Sequence, residues 1–221
     1  MNMLVMGLYV EGPTDDRFLR VIIQRTAEKI LLQHDCHEVV VLEPISIQKH
    51  PDIFHRSESI LQAARDTYGF HSLVVHADAD GPTRDDAYRY RFEPGNKLVQ
   101  ASTENVCKDI VPIIPVRMVE AWMLADMGQL YKALGTEISK QKSDLLSKAK
   151  HVESYHDPKS VIDKIIQRTY PEKPQNWRRI RGQLYADLAP MIRLSRLNEI
   201  PAYQQFVYDL TYTLKAINFI Y

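Results

Sequence analysis

The stretch Leu4-Val5-Met6-Gly7-Leu8-Tyr9-Val10-Glu11-Gly12-Pro13-Thr14-Asp15-Asp16-Arg17-Phe18-Leu19 decides how the chain is read. An apolar run stops at a lone carboxylate, Gly-Pro-Thr turns the chain, and a segment with helical spacing begins. Strand, turn and helix in that order put Glu11 at the carboxyl end of a strand, where open α/β sheets hold their ligands.

Working outward, Phe18, Leu19, Ile22, Ile23, Ala27, Ile30 and Leu31 recur every three or four residues and predict an amphipathic helix lying on a sheet. Val39-Val40-Val41-Leu42 reads as a second buried strand, followed by a loop over 45–55 and a helix over 57–68 closed by Gly69. A third strand, His71-Ser72-Leu73-Val74-Val75-His76-Ala77-Asp78, also runs into acid at Asp78-Ala79-Asp80-Gly81-Pro82. Residues 83–94 carry Arg84, Tyr88, Arg89, Tyr90 and Arg91 without an apolar period, which suggests a surface loop or short helix beside the site. A helix is expected over 95–110 and a fourth strand over 111–119, whose Pro112 and Pro115 place it at an edge or break it. Glu120 to Asp126 then opens another helix with a carboxylate at its mouth.

This alternation predicts an α/β, Rossmann-like fold: a mostly parallel four-stranded sheet flanked by helices. After Leu134 no strand-like run follows. Helices over 139–150, 158–168, 177–188 and 203–219, separated by prolines, predict a helical carboxyl-terminal annex. The expected division is an α/β core over 1–134 and a helical extension over 135–221 packed on it.

The totals bound the function. The 221 residues suit one sizeable core with an annex, and 28 Lys+Arg against 28 Asp+Glu deny a global pull toward nucleic acid, so such a site must be local. Cys36 and Cys107 suggest neither a disulfide framework nor a zinc module, and no run of about 18 apolar residues or signal-like start is present. A cytoplasmic, non-membrane protein is expected.

Parallel strands end at one edge, so Glu11, Asp78, Asp80 and Glu120 should converge there. Crowded carboxylates repel one another and raise each other's pKa unless a cation neutralises them. Mg²⁺ or Mn²⁺ is the hard, oxygen-loving ion that such a rim selects. The plain alternative is that an acid after a strand caps a helix, and Asp15 and Asp16 suit a first helical turn through the dipole alone. Elsewhere, His34-Asp35-Cys36-His37 fits no zinc template, His76 reads as a buried hydrogen-bonded histidine, and no glycine-rich phosphate loop is present. Arg178, Arg179 and Arg181 beside Trp177 form the densest basic cluster and are the candidate nucleic-acid contacts, with Arg193 and Arg196 further on and Lys140, Lys142, Lys148 and Lys150 as a second group.

A strand ending in Glu-Gly before a helix, with a later strand ending in Asp-x-Asp, resembles the TOPRIM domain of topoisomerases, bacterial primases and small nucleases. Val10-Glu11-Gly12-Pro13-Thr14-Asp15-Asp16-Arg17-Phe18-Leu19 is similar to the overcoming-lysogenization-defect nucleases, whose second acid four residues on is here the shorter Asp15. The wider arrangement, with Val119-Glu120-Ala121-Trp122-Met123-Leu124-Ala125-Asp126 and Asp157-Pro158-Lys159, resembles a small stand-alone bacterial TOPRIM-like family. The resemblance implies that Glu11 binds metal or acts as general acid/base, that Asp15, Asp78 and Asp80 bind Mg²⁺, and that Glu120 completes a second metal site. It also implies Lys159 as the lysine that stabilises phosphate charge, although Asp157 capping a helix would leave Lys159 an ordinary exposed residue.

The leading expectation is therefore a Mg²⁺-dependent TOPRIM-type nuclease acting on DNA or RNA, in a bacterial defence setting, with a separate ATPase subunit and a second copy of the chain as further partners. A non-catalytic module that binds nucleic acid or an ATPase is the alternative. A third reading takes Asp78-Ala79-Asp80 as the metal-nucleotide motif of a sugar transferase, which leaves Glu11 unexplained.

Overall fold

The computed structural model describes residues 2–136 and 149–221. Its sheet is parallel throughout. β1 (Asn2–Leu4) and β2 (Met6–Tyr9) form one strand broken at Val5, whose N–H donates to Nδ1 of His71 at 3.0 Å instead of to a carbonyl. β3 (Val39–Val41) pairs with β1, and β4 (Ile45–Ser46) pairs with β2 through Gly7–Ile45 and Leu8–Ser46. On the other side of β2 lies β5 (Ser72–His76), and beyond it β6 (Ile110–Ile113), in the order β4-β2-β5-β6. The chain thus goes outward from β2 to β4 and returns past β2 to β5. That reversal makes a topological switch point between β2 and β5, the crevice where open α/β sheets bind ligands.

Each face of the sheet is covered because the strands are apolar on both. α1 (Pro13–Gln33) starts at Gly12 in an extended conformation with Pro13 preset for the first turn. Its buried stripe, Phe18, Leu19, Ile22, Ile23 and Ile30, packs with Leu4, Met6, Leu8, Val74 and Val111. The opposite face carries Tyr9, Leu73, Val75 and Ala77 against α2 (Arg56–Asp66), then α3 (Asp85–Ala87), a π-helical turn (Tyr88–Phe92) and α4 (Glu93–Ala101). The 83–94 segment is therefore mostly helical, and it is anchored by buried Ala87 and Phe92, two apolar residues too sparse to show a period.

Three other expectations need correction. The loop expected over 45–55 contains β4, a strand of two residues. The helix expected over 95–110 begins earlier and stops at Ala101, because Ser102 is extended and the Lys108 ammonium caps the carbonyls of Val99, Gln100 and Ser102 at 2.6–3.1 Å. The fourth strand is only Ile110–Ile113, at the sheet edge. Leu73 N donates to Asp109 O and Ala77 N to Ile113 O, so odd-numbered residues of this strand face β5. The missing donor of Pro112 falls on the open side, as an edge strand permits.

Helices follow the sheet: α5 (Val119–Met123), a 3₁₀ turn (Leu124–Asp126) and α6 (Met127–Ala133) end the span expected of the core, and a 3₁₀ segment (Ala149–Ser154), α7 (Pro158–Thr169), α8 (Trp177–Leu188), α9 (Leu194–Leu197) and α10 (Pro201–Ala216) lie in the span of the helical annex. The helix expected over 139–150 and the side chains of Lys140, Lys142, Lys148 and Lys150 lie outside the described residues. α7, α8 and α10 match their expected spans within a few residues. One buried cluster runs from Leu4 through α1 and the annex to Ile220. Trp122 meets Tyr203 edge to face at 5.4 Å, and the Tyr203 hydroxyl lies 2.8 Å from that of Thr26 in α1. No described helix is long and apolar enough to cross a membrane.

α2 and α4 cross closely at Gly95, where a Cβ would sit 2.6 Å from Cδ1 and 2.7 Å from Cβ of Ile60. Real packing does not tolerate such an approach, and overpacking of this kind costs ~1–3 kcal/mol. Gly95→Ala should lower the urea midpoint by a corresponding amount, and Gly95→Ala combined with Ile60→Val should recover part of it.

Candidate active site at the switch point

The site is built from strand ends. Glu11 follows β2 directly, and Asp78 follows β5 on a segment that stays paired to the chain beyond β6: Ala77 N to Ile113 O, Ala79 N to Pro115 O and Asp80 N to Arg117 O. Alternation along an extended chain puts His76 and Asp78 on the α1 side, with Ala77 and Ala79 buried on the other. His76 is fully buried and its Nε2 lies 3.1 Å from Asp78 Oδ1, so the histidine is the buried, hydrogen-bonded residue expected of it.

Asp80 leaves this pattern. Its φ of +54° turns the chain into the left-handed region, which Asp tolerates better than most residues. The Asp80 carboxylate is 60% exposed and bonded to Arg91. It sits on the outer lip of the site, whereas Asp78 faces inward.

The two acids of the first turn of α1 also separate. Asp16 is tied to the Ser46 hydroxyl and to Arg20 at 3.0 Å, a structural role at the helix start. Asp15 faces the site. Burial pushes its carboxyl up from 3.8 to about 6, opposed by His76 and reinforced by Asp78, Glu120 and Glu11. These groups must therefore lie close enough to feel one another.

Glu120, in the first turn of α5, is 4% exposed. Tyr185 of α8 donates its hydroxyl proton to Glu120 Oε1, and Lys159 Nζ stands 4.0 Å from the same oxygen. Burial and Glu120 push the Tyr185 phenol further upward from its usual range. Asp157 does cap α7, accepting from Ser160 N at 2.9 Å, yet Lys159 one residue past Pro158 still reaches the rim.

From the α2 side come two arginines. Arg56 lies 3.0 Å from Glu11 Oε1, and Arg91 lies 3.6 Å from the same atom while donating to Asp78 O at 2.8 Å. Lys49 donates to the Glu11 carbonyl at 2.5 Å. Arg56 and Tyr185 were not singled out from sequence. A basic residue in the first turn of a helix, against the dipole, is a signal for Arg56, whereas a tyrosine within an amphipathic helix gives none for Tyr185.

The basic cluster on α8 divides. Arg181 is committed to Asp163 of α7, with N–O distances of 2.7 and 2.5 Å. Arg178 and Arg179 are exposed. Arg193 forms a two-pronged pair with buried Asp126; burial alone would raise that carboxyl, but Arg193 holds it below its ordinary value. Arg196 pairs with Glu199.

No group of three or more His, Cys, Asp or Glu side chains among the described residues stands ready to hold a metal ion. Glu11 faces arginines and Glu120 faces a tyrosine. What the fold assembles is the donor chemistry: carboxylate oxygens from β2, α1, β5 and α5, with cations around them.

Asp15 gives a pH prediction for the metal-free protein. Its folded pKa lies above its unfolded value, so folding favours the protonated form. The Asp15 contribution to stability is fully present below about pH 4 and is lost as pH rises through about 6, ~2–3 kcal/mol for a shift of this size. Asp15→Asn, titrated with urea in a chelator, should remove this slope and be the more stable protein at pH 7. An unchanged slope would place the effect elsewhere.

Residues 10–208 match a family described as Domain of unknown function (DUF4276), a span that contains every residue of the site. No curated protein and no solved structure matches the chain.

Proposed function

The chain belongs to the DUF4276 family, and we propose that it hydrolyses phosphodiester bonds of DNA or RNA with a divalent cation, Mg²⁺ or Mn²⁺. The observation that supports this reading is the placing of carboxylates after β2 and β5, in the first turn of α1 and in α5, with the Asp15 carboxyl pushed up first by its burial and then by Asp78, Glu120 and Glu11. The resemblance of the Glu11 and Asp78/Asp80 motifs to TOPRIM nucleases supports it.

Glu11, Asp15 and Asp78 are the residues that would hold the ion, with Asp80 and Glu120 on either side of them. Such an ion, when bound, supplies charge neutralisation at the phosphate and a more acidic water. The chain's own groups do the rest. Lys159 places a positive charge beside Glu120 for a phosphate oxygen, and Tyr185 fixes the Glu120 rotamer by its hydrogen bond. His76 holds the Asp78 carboxylate in place. Arg178 and Arg179, exposed on α8, are available to the backbone of the nucleic acid. Under this reading the protein works in the cytoplasm, where both cysteines remain reduced, and a separate ATPase subunit and a second copy of the chain are further partners.

A second reading, a module that binds nucleic acid or an ATPase without catalysis, is favoured by one observation: Glu11 is already neutralised by Arg56 and Arg91. The two separate in one assay. Purified protein with Mg²⁺ or Mn²⁺ should cleave plasmid or single-stranded substrates, and Glu11→Gln or Asp78→Asn should lower the rate by more than ~100-fold, beyond what loss of an outer partner of a metal ligand costs. Equal residual cleavage in all three proteins, with no calorimetric binding of either cation, would overturn hydrolysis in favour of the module.

A further inference from the structure

Arg117 lies on the segment that continues β6 to the carboxyl edge of the sheet, three residues before Glu120, and two features set it apart. The first is its backbone. Among the described residues the positive φ values outside glycine fall on Asp35, Asp80, Asn218 and Arg117, the last at +65°. Asp and Asn tolerate the left-handed region because their short polar side chains bond locally, whereas a long side chain there is strained. Backbone hydrogen bonds hold that conformation: Asp80 N donates to Arg117 O at 3.0 Å, and Arg117 N donates to Gly81 O at 3.3 Å. The residue is thereby fixed against the loop after β5.

The second feature is its charge. Every other partly buried arginine among the described residues faces a carboxylate or, in the case of Arg25, bonds a backbone carbonyl. Arg117 is partly buried and has neither, and its Nε is buried without a hydrogen-bond partner. The acids beside it in the chain or across the backbone pairing are already engaged, Asp80 with Arg91 and Glu120 with Tyr185 and Lys159. A guanidinium withdrawn from water without an anion is unfavourable, and so is the backbone that presents it. Both penalties fall on one residue at the rim of the site, and an anion from outside relieves the second.

The geometry points to Arg117 as the residue that takes a phosphate of a nucleic-acid strand at the lip of this site. That role presupposes the nucleic-acid part of the proposed function and no metal ion. The planar fork of arginine matches phosphate oxygens, and contacts to backbone phosphates position a strand without reading its sequence. Because 28 Lys+Arg are balanced by 28 Asp+Glu, attraction for a polyanion depends on individual cations that no acid has already claimed.

Binding is read by fluorescence anisotropy with a labelled single-stranded DNA of about 10 nucleotides, in a chelator. Arg117→Gln should weaken binding by about tenfold. It should also flatten the slope of log affinity against log salt concentration by about 0.7, the share of one phosphate contact on a single strand. Arg117→Lys, which keeps the charge but not the fork, should keep the slope and bind with intermediate affinity. Arg117→Gly should lose binding as the Gln variant does, yet melt about 2–4 °C above wild type, since glycine adopts this backbone without strain.

Wild-type affinity and slope in Arg117→Gln overturn the proposal, as does a wild-type protein that does not bind the strand. A melting temperature no higher than wild type in Arg117→Gly overturns it too, because the left-handed backbone would then serve the fold and not a ligand. Displacement of the strand by polyglutamate as readily as by unlabelled DNA of equal charge would assign Arg117 to acidic peptides instead. Hydrolysis is read separately with Mg²⁺ or Mn²⁺. Its absence with the slope change intact would remove the proposed hydrolysis alone, and hydrolysis without the slope change would remove the role of Arg117 alone.

Discussion

Parallel pairing of β2 with β5 is the constraint on which the site depends. Two strands hydrogen-bonded in parallel must finish at the same edge, so with Tyr9 standing opposite Val75 the chain after β2 and the chain after β5 emerge on one rim, Glu11 toward the α2 side and Asp78 toward the α1 side. Their like charges then impose conditions on everything nearby. His76 is turned to Asp78, Arg56 and Arg91 are drawn to Glu11, and Asp15 is the acid whose carboxyl is pushed up, first by burial and then by its acidic neighbours. An arrangement in which the backbone fixes acids together and side chains answer with cations is expensive in isolation. The sheet, buried on both faces, supplies the stability that tolerates it.

Helices beyond the sheet complete this rim. Glu120 reaches it from α5, and the groups that answer Glu120 come from α7 and α8, through Lys159 and Tyr185. The Arg17 guanidinium on α1 bonds the Gly182 carbonyl of α8, and Arg25 bonds the Ala189 carbonyl at its end. α1 therefore serves two masters: its apolar stripe joins the sheet to the annex, and its first turn presents Asp15 to the crevice. A shift of α8 along α1 would move Tyr185 and the Glu120 environment with it.

Much of this was legible in the sequence where the period was long or the punctuation sharp. α1, α7, α8 and α10 announced themselves by apolar spacing, and Glu11, Asp78 and Glu120 by their place just after apolar runs. β4 was not legible, because two residues carry no period. The segment after Ala101 misled because Val99, Val106 and Cys107 continue a helical spacing although the chain there is extended and capped by Lys108. Arg56 and Tyr185 act through contacts 45 and 65 positions away in sequence. Nothing local distinguishes Tyr185 from a core tyrosine, and Arg56 carries only its place against the dipole at the start of α2. The same holds for the separation of Asp15 from Asp16, which depends on where Ser46 and Arg20 lie.

The two borders of the sheet have a consequence for the protein in a crowded cell. One border is β3 followed by β4, three and two residues long, and the other is β6, where Pro112 turns its missing N–H outward. A strand arriving from another molecule finds almost no ladder to join on the first side and an interrupted one on the second. Short borders and outward prolines are how sheets avoid templating aggregates. The chain can thus keep a largely apolar, parallel sheet, slow to form by nature, with little free strand edge at its borders.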